Sequence, residues 1–95
     1  MSDWKFAQEG ASGEVALLHF FSLVKKEPEG DVEFRITIKE FAQPTSRLMG
    51  FFAQADRQTN QLTLPVTPAG WGDSLLSALS ECIVEINRFP YQGPR

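Results

Sequence analysis

The sequence is poor in the side chains on which most enzyme chemistry depends. Its 95 residues include one cysteine, Cys82, and one histidine, His19. A single cysteine excludes an internal disulfide and a metal cage of several thiolates, so we expect a reducing, cytoplasmic environment. Catalysis by a hydroxyl or thiol nucleophile needs a base beside it, and a lone imidazole leaves little choice of base. We therefore expect a non-enzymatic protein with no metal site and no cofactor.

The chain also lacks an excess of basic residues and a long apolar run. Nine Lys and Arg stand against twelve Asp and Glu, a net charge of −3 at pH 7, whereas domains that bind duplex nucleic acid are usually strongly basic. The longest apolar cluster, residues 15–24, is interrupted by His19 and Ser22. It is too short and too polar for a signal peptide or a membrane span, so we expect a soluble protein with no membrane partner.

Large apolar side chains, in contrast, are plentiful. The chain has eight Phe, two Trp and one Tyr. A domain of about 100 residues buries somewhat over ~60% of the surface that its unfolded chain exposes, which suffices for folding when the core side chains are large. We predict a single globular domain over residues 1–95.

Two segments have a clear hydrophobic period. Residues 31–41 alternate between apolar and polar side chains, which predicts a strand with one buried face. Residues 74–88 gather their apolar side chains into one arc, which predicts an amphipathic helix. Asp73 is the expected N-cap of this helix and Pro90 its stop. Cys82 lies in the apolar arc, where a thiol behaves as a small hydrophobic group.

Three further segments have a less clear period. In residues 14–26 a helical wheel separates most apolar from polar side chains, and we favour a helix, although a strand of this length would pair well with residues 31–41. Residues 47–58 alternate and contain Gly50, which costs a helix about 1 kcal/mol relative to Ala, so we predict a strand there. Residues 62–66 suit a short edge strand, because an edge tolerates the missing N–H of a proline.

These elements predict an α+β fold. We expect an antiparallel sheet of three or four strands, with the amphipathic C-terminal helix on one face and an N-terminal helix at residues 14–26 in the favoured interpretation. Residues 4–8 are a candidate for a further short strand. One helix or two would cover only one side of such a sheet.

The outer face of the alternating strand is a candidate nucleic-acid surface. Arg35 and Lys39 would lie there, and Phe52 would join them from the neighbouring strand. Binders of single-stranded nucleic acid combine basic side chains with aromatic rings on which bases stack, so we consider this face as such a site, together with Arg47. Glu33 on the same face weakens the positive field, and an ordinary solvated strand explains the row equally without a ligand.

The stretch Gly70-Trp71-Gly72 is the most distinctive in the chain. Flexible glycines and a flat indole beside the free N–H groups of a helix start suit a small-molecule site near Trp71. We favour a structural role, in which Trp71 precedes the helix and covers Leu75 or Leu76. The carboxylate of Asp73 would already occupy the N–H groups that a small anion needs.

Surplus aromatic side chains point to self-association. If Trp4, Phe51 or Phe52, and Tyr91 stay exposed together, the apolar patch is larger than monomers usually show, and a homodimer would bury it. We therefore favour a self-associating binding or scaffold module. A sheet-face binder of single-stranded nucleic acid is the alternative, and a small-molecule pocket near Trp71 is the weaker third hypothesis.

Overall fold

The computed structural model describes residues 3–93, apart from the side chain of Arg47. Within that range the chain forms one α-helix (α1), two 3-10 helices and seven strands. The helices span Leu75–Arg88 (α1), Asp3–Gly10 and Arg47–Met49. The strands are Ala16–Lys25 (β1), Val32–Phe41 (β2), Phe51–Ala55 (β3), Gln58–Gln61 (β4), Leu64–Val66 (β5), Ala69–Gly72 (β6) and Tyr91–Gln92 (β7). The predicted α+β fold, with the long C-terminal helix, is confirmed.

The main sheet is antiparallel and has four strands in the order β1-β2-β3-β6, so β1 and β6 are its edges. β1 and β2 pair along their whole length, from Ala16 opposite Phe41 to Lys25 opposite Val32. A smaller three-stranded sheet has the order β5-β4-β7. α1 packs against β6, β3 and β2 on one face of the main sheet.

Residues 16–25 form a strand, so the helical interpretation favoured for residues 14–26 is wrong. The segment is the edge strand β1, held by ten consecutive pairs with β2. Apolar side chains of β1 lie on both faces of the sheet, and most of them are exposed. This two-sided pattern has no strict alternation, which is why a helical wheel sorted it better than a period of two.

Other boundaries also differ from the sequence-based expectation. Residues 4–8 lie in the N-terminal 3-10 helix and form no strand. The strand predicted at residues 47–58 is confined mainly to β3, because Arg47–Met49 form a 3-10 turn that Ser46 caps by accepting from the Leu48 N–H. The short edge strand expected at residues 62–66 is β5, at the edge of the smaller sheet.

The core lies between β2 and α1. Along β2 every second side chain is buried, as its alternation predicts, and α1 covers these side chains with its own apolar stripe. The fully or almost fully buried apolar residues are Val32, Phe34, Ile36, Ile38, Ala53, Ala55, Ala78, Cys82 and Ile86.

α1 begins with a capping box. Ser74 is the N-cap, not Asp73 as expected: its hydroxyl oxygen accepts from the Ser77 N–H at 3.1 Å, and the Ser77 hydroxyl oxygen accepts from the Ser74 N–H at 3.2 Å. This reciprocal pair satisfies two N–H groups that the first helical turn leaves without partners. The helix ends at Arg88, just before Pro90, as predicted.

Lys25 ties the end of β1 to the C-terminus of α1. Its Nζ donates to the carbonyl oxygens of Ile86, at 2.9 Å, and Phe89, and it lies 3.0 Å from Glu27 Oε2. Glu27 also accepts from the Tyr91 N–H at 2.9 Å. The Lys25 and Glu27 side chains are only 12% and 5% exposed. The charged pair therefore holds this end of β1 against the C-terminus of α1.

The glycines beside Trp71 allow close packing of α1 on β6. A Cβ added at Gly70 would lie 2.6 Å from Glu81 Cβ and 2.7 Å from the Ala78 carbonyl oxygen. One added at Gly72 would lie 2.6 Å from the Ala78 nitrogen. Carbon atoms in contact are normally about 3.5–4.0 Å apart. Neither position has room for a side chain, so the two glycines bring strand and helix backbones together.

We predict that Gly70→Ala lowers the free energy of unfolding by about 2 kcal/mol, because overpacking a tight contact costs roughly 1–3 kcal/mol. Urea denaturation measures the change. Gly13→Ala is the matched control, since no atom lies within 4 Å of its added Cβ, and its effect should stay within about 0.5 kcal/mol. Equal stability of the two variants would contradict the close helix–strand contact.

Candidate functional site

The face of the main sheet opposite α1, called the open face from here on, carries three of the four predicted binding residues. Arg35 and Lys39 alternate with the buried side chains of β2 and so project from its other side. Trp71 of β6 projects from the same face, because it lies opposite Phe52 of β3, which in turn lies opposite Lys39 of β2. Arg47 begins the 3-10 helix before β3, and its side chain lies outside the described part of the structure.

A row of cross-strand neighbours crosses the open face. Residues directly opposite on antiparallel strands share a face, with Cβ atoms about 5 Å apart. The register places one residue of each strand in this row, in the order Leu18, Lys39, Phe52 and Trp71. The row therefore runs from an apolar edge, across a cation, to a pair of aromatic rings. Phe52 was expected beside Lys39, whereas no sequence pattern had joined Trp71 to them.

Three aromatic rings cluster at the β6 side of the open face. The rings of Phe52 and Trp71 have centroids 4.6 Å apart, and the Phe41 ring lies nearly parallel to Trp71 at 6.1 Å. Trp71 remains 47% exposed. The expectation that it covers Leu75 or Leu76 is wrong, because the indole lies on the side of the sheet away from α1.

The charges on the open face are mixed. The Arg35 Nε lies 3.8 Å from Glu33 Oε1, and Glu33 also accepts from the Ser22 hydroxyl at 2.6 Å. Glu33 therefore offsets much of the Arg35 charge. Lys39 is exposed and forms no ion pair with any described residue. It borders a shallow hollow of about 140 Å³, whose lining residues are Thr37, Lys39, Phe52, Gln54, Ala55 and Asp56.

The outer edge of β1 is a second candidate surface. Along an antiparallel pair, alternate residues direct their N–H and C=O groups toward the partner strand and away from it. The Ala42 N–H donates to the Val15 carbonyl oxygen at 2.9 Å, so the odd-numbered residues of β1 face β2. The backbone groups of the even-numbered residues point away from the sheet, and these residues are Ala16, Leu18, Phe20, Ser22 and Val24.

A run of exposed large apolar side chains lies along this edge. The patch expected from Trp4, Phe51, Phe52 and Tyr91 is not formed, because all four side chains are half-buried and Phe51 packs against the core. Half of the residues of β1 are exposed apolar ones instead, at 37–71% exposure: Leu17, Leu18, Phe20, Phe21 and Val24. This run of apolar side chains therefore follows a backbone edge that no strand within residues 3–93 pairs with.

The two residues with the greatest catalytic potential are held in structural roles. His19 faces the inner side of the sheet, where its Nε2 lies 3.0 Å from Glu40 Oε1, and the second oxygen of Glu40 lies 3.6 Å from Lys5 Nζ. Cys82 is buried, and its thiol lies 3.7 Å from the Pro68 carbonyl oxygen. Burial, helped by the nearby Glu85 carboxylate, raises the pKa of Cys82 to about 11. At neutral pH Cys82 is a protonated thiol and a poor nucleophile.

Across residues 3–93 no group of three His, Cys, Asp or Glu side chains converges as a metal site requires. No helix in the same range is long and apolar enough to cross a membrane. Comparison with models of known protein families, with curated proteins and with solved structures finds no match for this chain. The open face and the β1 edge are therefore the surfaces of this molecule that point to a function.

We predict that Cys82 in the folded protein reacts with an aromatic disulfide reagent at pH 8 at least about a hundredfold more slowly than in the urea-unfolded chain. Burial restricts access, and the raised pKa keeps the thiol protonated at this pH. The release of the coloured thiolate measures both rates. A native rate close to the unfolded one would show that Cys82 is accessible and reactive.

Proposed function

We propose that this protein is a non-enzymatic, self-associating binding or scaffold module, and that the β1 edge is where two copies meet. The observation that supports this proposal is the coincidence of an unpaired ten-residue strand edge with exposed apolar side chains on both of its faces. Pairing two such edges satisfies the outward backbone groups and removes apolar surface from water in one step. A cytoplasmic location, suggested by the single free cysteine, is part of the proposal.

The two edges of the main sheet differ in a way that supports this choice. Soluble proteins usually protect edge strands by keeping them short, by placing Pro or charged residues on them, or by covering them. β6 is four residues long and lies under α1. In β1, residues 16–24 contain no Pro, Lys, Arg, Asp or Glu. Lys25, at the C-terminal end of β1, is the one residue of this kind in the strand, and its side chain is tied to α1. Residues 16–24 therefore lack the sequence features that normally prevent strands from pairing.

We predict that the native chain is a dimer of twice the 10.6 kDa chain mass and that Phe20→Lys makes it monomeric. Phe20 is 71% exposed, so the change removes little from the monomer but places a charge in the proposed interface, where like charges repel. Light scattering after size exclusion, over about a hundredfold range of concentration, measures the mass.

Leu76→Lys on α1 is the matched control, because Leu76 is also apolar and 72% exposed. This variant should remain dimeric. A monomeric native chain throughout the range would contradict self-association. A dimer disrupted by Leu76→Lys but not by Phe20→Lys would show that the copies meet at the helix instead.

The open face supports a second candidate function, binding of single-stranded nucleic acid. The supporting observation is that Lys39 and Arg35 share a face with the Phe41, Phe52 and Trp71 rings. Bases stack on exposed aromatic rings, and cations beside the rings attract the phosphates. The net charge of −3 and the Arg35–Glu33 pair weaken the attraction, so we rank this function below self-association.

We predict that, if this second function holds, Arg35→Glu with Lys39→Glu weakens binding of a fluorescent single-stranded oligonucleotide at least about tenfold at low salt. Fluorescence anisotropy measures the affinity. Arg57→Glu with Arg88→Glu is the matched control, because it makes the same charge change at two exposed residues whose contacts are with Tyr91 and Glu85, away from the open face and the β1 edge. Equal losses in both variants would mean that net charge, not the open face, governs binding, and no binding of the native chain would exclude this function.

A further inference from the structure

We infer that two copies of this chain pair through β1 in one antiparallel register, with Phe20 of each copy opposite Phe20 of the other on a two-fold axis. This inference rests on the proposed self-association and specifies its geometry. It follows from three features of β1: the direction of its backbone groups, the distribution of its apolar side chains, and the charges at its two ends.

The backbone direction limits the registers that are available. The even-numbered residues of β1 point their N–H and C=O groups outward, so hydrogen-bonded pairs across the interface join even-numbered residues of both copies. When Phe20 of one copy lies opposite Phe20 of the other, Ala16 pairs with Val24 of the other copy and Leu18 pairs with Ser22. The two-fold axis repeats both pairs. All five outward-facing residues then find partners. A shift by two residues in either direction pairs at least one of them with a residue outside β1.

The side chains agree with this register on both faces of the sheet. On the open face, the two Phe20 side chains meet at the axis and are flanked by contacts of Leu18 with Ser22. On the inner face, Leu17 lies opposite Leu23 of the other copy. Phe20 is the most exposed apolar residue of β1, at 71%, and opposing aromatic side chains are among the more stabilising cross-strand pairs.

The charged residues at the ends of β1 also favour this register. In the same register Glu14 of one copy lies opposite Lys26 of the other, and symmetry repeats this pair at the far end. Both residues are exposed, and Lys26 already holds one carboxylate, Asp31, at 2.8 Å. The two-residue shifts would instead place Glu14 opposite Val24, or Lys26 opposite Ala16. Only the register centred on Phe20 therefore combines full backbone pairing with complementary charges.

This pairing also determines the relative orientation of the two open faces. A two-fold axis through an antiparallel pair is perpendicular to the sheet, so both α1 helices lie on one side of a continuous sheet and both open faces on the other. The rows that run from Leu18 to Trp71 then lie on either side of the axis, offset from each other by about 13 Å along the strands. Pairing through β1 would therefore join the open faces of the two copies into one extended surface.

Disulfide trapping tests the register. Phe20→Cys places two thiols opposite each other, at a Cα separation of about 5.5 Å that a disulfide can span. Ser22→Cys places its thiol opposite Leu18 of the other copy, so two Ser22→Cys thiols lie about 13 Å apart. Under mild oxidation, Phe20→Cys should form a covalent dimer at least about tenfold faster than Ser22→Cys alone. The native chain, in which Cys82 is buried, is the control for background cross-linking.

A mixture of Leu18→Cys and Ser22→Cys chains provides a second measurement that keeps Phe20 intact. The mixture should form mixed covalent dimers rapidly, whereas each variant alone should not. A native dimer in which Phe20→Cys cross-links no faster than Ser22→Cys, and in which the mixture gains nothing, would overturn the register and leave self-association standing. A native chain that is monomeric by light scattering would overturn both.

Discussion

The width of a single helix is the constraint on which the rest of this structure depends. An α-helix with its side chains is about 10–12 Å wide, whereas four strands spaced about 4.8 Å apart form a wider sheet. α1 therefore covers only part of the sheet, and Gly70 and Gly72 determine which part, because they allow it to pack tightly over β6. α1 packs mainly on β6, β3 and β2 and meets β1 at Lys25, whose Nζ donates to the Ile86 carbonyl oxygen. The apolar side chains of β1 stay largely exposed, at the edge of the sheet opposite to β6.

The exposed surfaces, rather than His19 or Cys82, carry the function that we propose. His19 is held by Glu40, and Cys82 is buried in the packing beneath α1. The exposed features include an apolar strand edge and an open face with Lys39 beside aromatic rings. Each of these features suits a partner that pairs or stacks, and the edge suits a second copy of the same strand because its sequence is complementary to itself in the antiparallel sense.

The sequence predicted those elements whose two faces differ sharply in environment. β2 has one buried and one solvated face, and α1 has one apolar arc, so a simple period identified both. β1 was assigned to a helix because neither of its faces is fully buried. Apolar side chains on both faces gave its sequence a pattern closer to that of an amphipathic helix than to strict alternation. β6 was missed because Gly70 and Gly72 show no alternation, although they are strand residues. Trp71 could not be placed on the open face without the register that joins it to Phe52 and Lys39.

Site-resolved amide hydrogen exchange, at two protein concentrations about a hundredfold apart, tests the central claim most directly. The outward N–H groups of Leu18, Phe20 and Ser22 should be protected at the high concentration and exchange rapidly at the low one. The N–H groups of His19 and Phe21, which face β2, should remain protected at both and serve as the internal reference. Rapid exchange of the outward N–H groups at both concentrations would contradict the account.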